Sequence, residues 1–411
     1  MSPVELAPDA IRETMLPYGR QSVSEEDIRL VAEVLRSDWL TTGPVVERFE
    51  RAFAERVGAA EAVALSSGTA ALHAAMFALA VGPGDEVIVP AMTFAATANA
   101  VVFQGATPVF ADISPDTLLV DPADVERRVT PRTRAIVAVD YAGQPCDYGQ
   151  LRPLARRRNL ALVADAAHSL GGADPPTTGP VGSLADLSAF SLHPVKAITT
   201  GEGGMVTTDD VGCAERIRRF RNHGFSRDYR GREAAGSWQY KMTELGYNYR
   251  LTDIQSALGL GQLARLDGWM ARRSEISARY DRALAGIEGV RPLAVRSGVR
   301  HARHLYVVRI EAGAFGLDRR AAYKALRRRR IGVGVHYLPV HLHPFYRRRF
   351  GTAPGLCPNA EAAYEEILSL PIFPAMSDDD VDDVIRALER TRKPRSADPT
   401  PLCRERERGR G

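Results

Sequence analysis

Short apolar runs rich in β-branched residues recur through the first half of the chain, each bounded by Gly, Pro or Asp and set beside a helical pattern. Runs that are apolar on both faces are what strands of a buried parallel sheet require. They predict strands at 62–65, 86–90, 107–113, 135–141, 160–165, 187–192 and 204–208. Ser24, with Asp27 three residues on, forms an acidic capping pattern and opens a helix with Ile28, Val31 and Leu35 on one face. A second long helical pattern begins at Thr252 and carries Ile254, Ala257, Leu258, Leu263 and Leu266 at near-helical spacing. Beyond residue 268 the texture changes to long charged helices, with strands predicted at 304–310 and 331–337 and a closing helix at 378–390.

These elements predict an α/β chain: a large domain over 1–267 with a mostly parallel seven-stranded sheet flanked by helices, and a smaller α+β domain over 268–390. Residues 391–411 are rich in Pro, Arg and Glu without periodicity and read as a disordered tail.

Composition narrows the function classes. The chain has 411 residues with 45% hydrophobic and 25% charged, the mixture of an ordinary globular protein. Its net charge is +4, and residues 391–411 alone hold seven Lys/Arg against three Asp/Glu, so the body is formally neutral. A nucleic-acid partner is not expected from a body without a basic excess. The stretch 87–111 has no charged residue and is long enough to span a bilayer. Pro90, Thr93, Thr97, Asn99, Gln104, Gly105 and Pro108 divide it into strand, helix and strand, so no membrane association is expected. Glu5, Asp9, Arg12 and Glu13 stand where a signal peptide needs an apolar core, and the four cysteines, Cys146, Cys213, Cys357 and Cys403, show no paired spacing. A cytoplasmic protein without a metal site is the expectation.

Three places carry candidate chemistry. Ser66-Ser67-Gly68-Thr69 joins a strand to a helix, and small residues at a helix N-terminus suit an anion such as a phosphate. Asp165 closes an apolar strand, with His168 three residues on, at the strand end where open α/β sheets place ligands. The run from Ser191 through His193-Pro194-Val195-Lys196 to Gly201-Glu202-Gly203-Gly204 is an irregular loop that can aim an amine. Singly, each also reads as structure: plain capping, a capping carboxylate, a solvated lysine. In this order they supply what a pyridoxal-phosphate enzyme needs, namely an amine for the cofactor's carbonyl, a phosphate cradle, and a carboxylate for the pyridinium nitrogen.

SSGTAALH, PAMTFAATANAV, DAAHS, FSLHPVK leading to GEGG, and YNYRLTDIQSALGLGQL resemble the successive motifs of the DegT-type nucleotide-sugar aminotransferases, a fold-type-I pyridoxal-phosphate family. The likeness runs from about Leu16 to Arg390 and implies pyridoxal 5′-phosphate as cofactor. It implies that Lys196 holds the cofactor covalently and that Asp165 contacts its ring nitrogen. His168 takes the place beside the phenolic oxygen, Phe94 stacks on the ring, and Gly68, Thr69 and Ser191 hold the phosphate. Asn248 resembles the residue that reaches the phosphate from a neighbouring subunit, which implies a homodimer with shared active sites. Some relatives carry histidine at the lysine position and act as dehydratases, so Lys196 argues for amino transfer.

LPYGRQSVSEEDI, SDWLTTGP, YAGQPCD, HLYVVRI, GVGVHYLPVHLHPFY and SLPIFPAMSDDDVD further resemble transaminases that make UDP-4-amino-4,6-dideoxy-N-acetyl-β-L-altrosamine for pseudaminic acid. That likeness implies a UDP-linked 4-keto-6-deoxy-N-acetylhexose as acceptor and glutamate as amino donor. Tyr18, Arg20, Tyr141, Gln144, Arg250, His336 and Tyr337 are the candidate substrate contacts. A dTDP- or GDP-linked 3- or 4-keto sugar, and a non-catalytic regulator on the same fold, stand as alternatives.

Overall fold

A computed structural model describes residues 11–174, 179–226 and 236–393. The tail expected to be disordered lies, from residue 394 onward, outside the described residues. Among the described residues of the first half, nine strands form. They are β1 (Glu61–Leu65), β2 (Glu86–Pro90), β3 (Thr107–Ala111), β4 (Thr133–Val139), β5 (Ala161–Asp165), the two-residue pair β6 (Ala173–Asp174) and β7 (Gly179–Pro180), then β8 (Leu187–Ser191) and β9 (Gly204–Thr208). Seven of them make one sheet in the order β1-β9-β8-β5-β4-β2-β3. Strands β3, β2, β4, β5 and β8 run parallel, while β9 is antiparallel to both of its neighbours, β8 and β1. The uncharged stretch divides as expected: β2, a helix Ala95–Phe103, then β3. Among the described residues no helix is long and apolar enough to cross a membrane.

A second, antiparallel sheet is built from β10 (Val290–Pro292), β11 (Tyr306–Ile310) and β12 (Ile367–Leu370). The strand expected at 331–337 does not form. Ile331 makes one isolated bridge to Leu16 and Gly334 one to Ser369. A Cβ on Gly332 would sit 2.6 Å from the Leu16 carbonyl oxygen, so this glycine serves a close crossing of the N-terminal arm and not a continuous ladder. Two buried clusters result. One surrounds the seven-stranded sheet and also takes Val340, Tyr346, Cys357 and Ala360; the other joins the three-stranded sheet to the helices Leu266–Leu284 and Asp378–Thr391. We propose that residue 267 separates the two folding units.

Ser24 and Asp27 form the capping box, the Asp27 N–H donating to Ser24 Oγ at 3.3 Å and the Ser24 N–H to Asp27 Oδ2 at 2.9 Å. The face this helix (Glu25–Leu35) buries is not the expected one. Asp27 and Val34 are buried, whereas Ile28 and Leu35 are more than half exposed. The polar Asp27 is held inside through its Oδ2, which accepts from Gln262 Nε2 at 2.9 Å and pairs with Arg265, since a buried charge demands such partners. The helical pattern after Thr252 becomes two helices, Asp253–Ala264 and Leu266–Leu284, the first capped by Thr252 and Gln255.

Candidate functional site

The carboxyl ends of β4, β5 and β8 open on a cavity of about 340 Å³, where parallel-sheet folds place their ligands. Ten of the residues singled out from the sequence line it: Tyr18, Gly68, Thr69, Phe94, Asp165, His168, Ser191, Lys196, His336 and Tyr337.

At one end stands the N-terminus of the helix Gly68–Ala78, capped by Ser67 Oγ, which accepts from the Ala70 N–H at 3.0 Å. The first N–H groups of a helix have no acceptor within it and carry the positive end of its dipole. Ser191, the last residue of β8, comes so near that a Cβ on Gly68 would lie 2.8 Å from Ser191 Cβ. Glycine there lets backbone donors and a hydroxyl converge on one point, as a phosphate requires.

Asp165 is buried at the centre. Its Oδ2 accepts from Thr97 Oγ1 at 2.7 Å, its Oδ1 accepts from the Ala167 N–H at 3.2 Å, and Thr97 Oγ1 is itself 2.7 Å from Thr93 Oγ1. Burial raises the Asp165 carboxyl above its ordinary range, against these hydrogen bonds and the charge of Lys196. A carboxylate so placed calls for a cationic partner in the cavity.

Lys196 projects from the loop after β8. That loop is tied down at Leu192, whose N–H donates to the Gly203 carbonyl at 2.8 Å and whose carbonyl receives the Thr200 N–H and Thr199 Oγ1, each at 3.0 Å. Desolvation brings the Lys196 ammonium down to about 8, the carboxylate of Asp165 opposing it. The neutral amine is the reactive form, so its fraction grows as pH rises through that value. In the apoenzyme, trinitrobenzenesulfonate labelling of Lys196, read by peptide mass spectrometry, is expected to rise with a midpoint near 8 and then level off. A midpoint above 10 contradicts this.

A wall of imidazoles and phenols closes the other side. His168 Nε2 is 3.1 Å from the Tyr337 hydroxyl, and its ring lies 4.5 Å from that of His304. His336 Nδ1 is 2.8 Å from Ser369 Oγ. Burial first, then the nearby Lys196 charge, drives His168 well below its ordinary range and His336 to about 4. All of these rings are therefore neutral at pH 7. Phe94, 60% exposed at the start of the helix Ala95–Phe103, stands over the cavity with its ring 5.8 Å from that of Tyr337.

Five candidates lie outside the cavity lining. Tyr141 is buried and donates to the His336 carbonyl, so it supports the wall from behind. Gln144 is buried too, Nε2 donating to the Ala294 carbonyl at 3.1 Å and Oε1 accepting from the Arg296 N–H at 2.6 Å. Arg250 donates to Asn222 Oδ1 at 2.7 Å in a separate hollow, and Asn248 is exposed and bridged to Asn222. Arg20 lines a small crevice beside Lys196. Conversely, the sequence alone points to no role in the site for Thr97 or His304, which support or line it here. Thr97 sits three residues after Phe94, one helical turn on, and that spacing was its available signal.

The donor set fits pyridoxal phosphate: an amine of lowered basicity, a buried carboxylate oriented by a hydroxyl, and a helix N-terminus closed by a hydroxyl. Together with the sheet topology it defines a pyridoxal-phosphate enzyme of fold type I. Residues 21–389 match the DegT/DnrJ/EryC1/StrS aminotransferase family. The spore coat polysaccharide biosynthesis protein SpsC of Bacillus subtilis is 45% identical over 379 residues, 92% of this chain and 97% of that one. Spr1654 of Streptococcus pneumoniae, solved in its PMP form, superposes with a TM-score of 0.85 at 34% identity, covering 91% of this chain and 98% of that one. PseC of Helicobacter pylori, an aminotransferase involved in the biosynthesis of pseudaminic acid, gives 0.85 at 32% identity, covering 92% of this chain and 99% of that one. The chain belongs to the DegT/DnrJ/EryC1/StrS aminotransferase family and is a pyridoxal-phosphate-dependent sugar aminotransferase.

Proposed function

We propose that this enzyme moves an amino group from glutamate to the C4 ketone of a UDP-linked 4-keto-6-deoxy-N-acetylhexose, as a homodimer whose sites are shared. The observation that carries the catalytic part is the pairing of a desolvated Lys196 with a buried, hydroxyl-oriented Asp165 in one cavity. The structural likeness to PseC, and the resemblance of the segments around Tyr18, Tyr337 and the closing helix to transaminases of pseudaminic acid synthesis, support the sugar. The exposed apolar residues Trp238, Met242 and Leu245, near Asn248, support a partner subunit on that face.

When bound, pyridoxal phosphate supplies a carbonyl that takes up an amine and a ring that accepts an electron pair from the adjacent carbon. Gly68, Thr69 and Ser191 would hold its phosphate, with Asn248 of the partner subunit completing the cradle. Asp165, held by Thr97, would keep a proton on the ring nitrogen. His168 would face the phenolic oxygen as a neutral imidazole positioned by Tyr337, and Phe94 would cover the ring and exclude water. Lys196 Nζ, neutral in an appreciable fraction at pH 7 to 8, takes the proton from the donor's α-carbon and returns a proton to the sugar's C4 in the second half-reaction.

The test is a panel of UDP-, dTDP- and GDP-linked keto sugars with glutamate as donor. The UDP-linked 4-keto-6-deoxy-N-acetylhexose is expected to give the highest kcat/KM; preference for a dTDP or GDP sugar overturns the substrate while leaving the enzyme class.

A further inference from the structure

Beside the cavity lies a crevice with an excess of positive charge. It holds about 10 Å³ and is lined by three cations, Arg20, Lys196 and Arg273, with Ser22, Gln262 and Trp269 and no carboxylate. Asp27, which bonds Gln262 of this lining, is ion-paired to Arg265. Arg273 is 2% exposed. Its Nη1 donates to the carbonyls of Arg303, His304 and Ile372 at 3.2, 3.3 and 3.0 Å, while its Nε is buried without an acceptor. Arg20 is exposed and makes no ion pair or hydrogen bond among the described residues. Arg273 shares this lining with Arg20 and Lys196, and a buried guanidinium with no anion beside it is costly. Lys196 is the one residue this crevice shares with the main cavity, where Lys196 is the sole lysine or arginine in the lining.

Resting on the reading above, we infer that Arg20, backed by Arg273, binds a carboxylate of the amino donor. The reaction brings three kinds of anion: the cofactor's phosphate, the donor's carboxylates and the sugar's diphosphate. The helix at Gly68 takes the first. The crevice shares Lys196 with the cavity, and this is the residue that works on the donor's α-carbon, one bond from a carboxylate. It has room for about one water-sized group, which suits a carboxylate oxygen and not a diphosphate several atoms beyond the reacting ketone.

Glutarate, which has both carboxylates of glutamate but no amine, serves as an unreactive probe by titration calorimetry on the holoenzyme. Arg20→Met is expected to weaken glutarate binding and raise the glutamate KM by about ten-fold or more, with Arg20→Lys in between, while the KM for the keto sugar stays unchanged. Equal glutarate affinity with and without Arg20 overturns the subsite, as does a rise in sugar KM in place of the glutamate KM. A wild-type enzyme whose cofactor absorbance ignores glutamate overturns the donor assignment itself and this subsite with it. One that responds to glutamate while Arg20→Met binds glutarate normally overturns the subsite alone.

Discussion

Lys196→Ala is expected to lower turnover by about a thousand-fold or more, because it removes both the covalent anchor and the group that moves the substrate proton. The variant should nevertheless bind pyridoxal phosphate, since the helix N-terminus at Gly68, Ser191 and Asp165 remain. Borohydride reduction followed by peptide mapping separates the two roles: the wild type should carry the cofactor's mass on Lys196 and the variant should carry none. The chain contains four lysines, Lys196, Lys241, Lys324 and Lys393, so a label on one of the others is readily told apart. Retained turnover in Lys196→Ala would remove this residue from the chemistry.

Asp165→Asn is expected to lower kcat by about a hundred- to a thousand-fold, the usual cost of losing one oriented electrostatic partner in a closed site. The substitution keeps the shape and lets Thr97 still bond the side chain, so it isolates the charge. An amide cannot hold a proton on the ring nitrogen as a carboxylate does, and the effect should therefore fall on kcat with a smaller change in KM. Thermal unfolding of the apoenzyme is the control. Burial disfavours the ionised carboxylate of Asp165, so the variant should be at least as stable as the wild type. A pure KM effect would mean that Asp165 positions substrate and leaves the ring nitrogen alone.

The seven strands of the main sheet were legible because buried strands must be apolar on both faces, and β2 and β5 write that requirement as the unbroken runs Val87–Val89 and Ala161–Ala164. Direction was not legible: nothing in Gly204–Thr208 distinguishes an antiparallel strand from its parallel neighbours, since direction is set by the short connection from β8. In the smaller sheet, β10 and β12 have only three and four residues, too few to show a period. The 331–337 segment misled in the opposite sense: Gly332 and Gly334 supply its alternation, and they stand where a side chain would meet Leu16 and the His336 ring.

Within the site, Asp165 and Lys196 were visible as residue types at fixed points of a βα pattern. Thr97 and Tyr141 act through contacts 68 and 195 residues away along the chain, to Asp165 and His336, and no local pattern encodes such a partner. Gln144 has the polarity of a substrate contact but spends it on the backbone around 294–296, a use that depends on how the later segment returns. The buried face of the helix Glu25–Leu35 turns on the same point: Asp27 is inside because Arg265 arrives from a distant helix.

The most direct test of the central claim is a spectrum of the purified holoenzyme followed through both halves of the reaction in one cuvette. The account predicts that glutamate changes the cofactor's absorbance and that the UDP-linked 4-keto-6-deoxy-N-acetylhexose then restores it, with Lys196→Ala completing neither half at an appreciable rate. A cofactor that responds to glutamate but is not restored by this sugar contradicts the substrate, and a holoenzyme that responds to neither contradicts the assignment of glutamate and this sugar as its substrates.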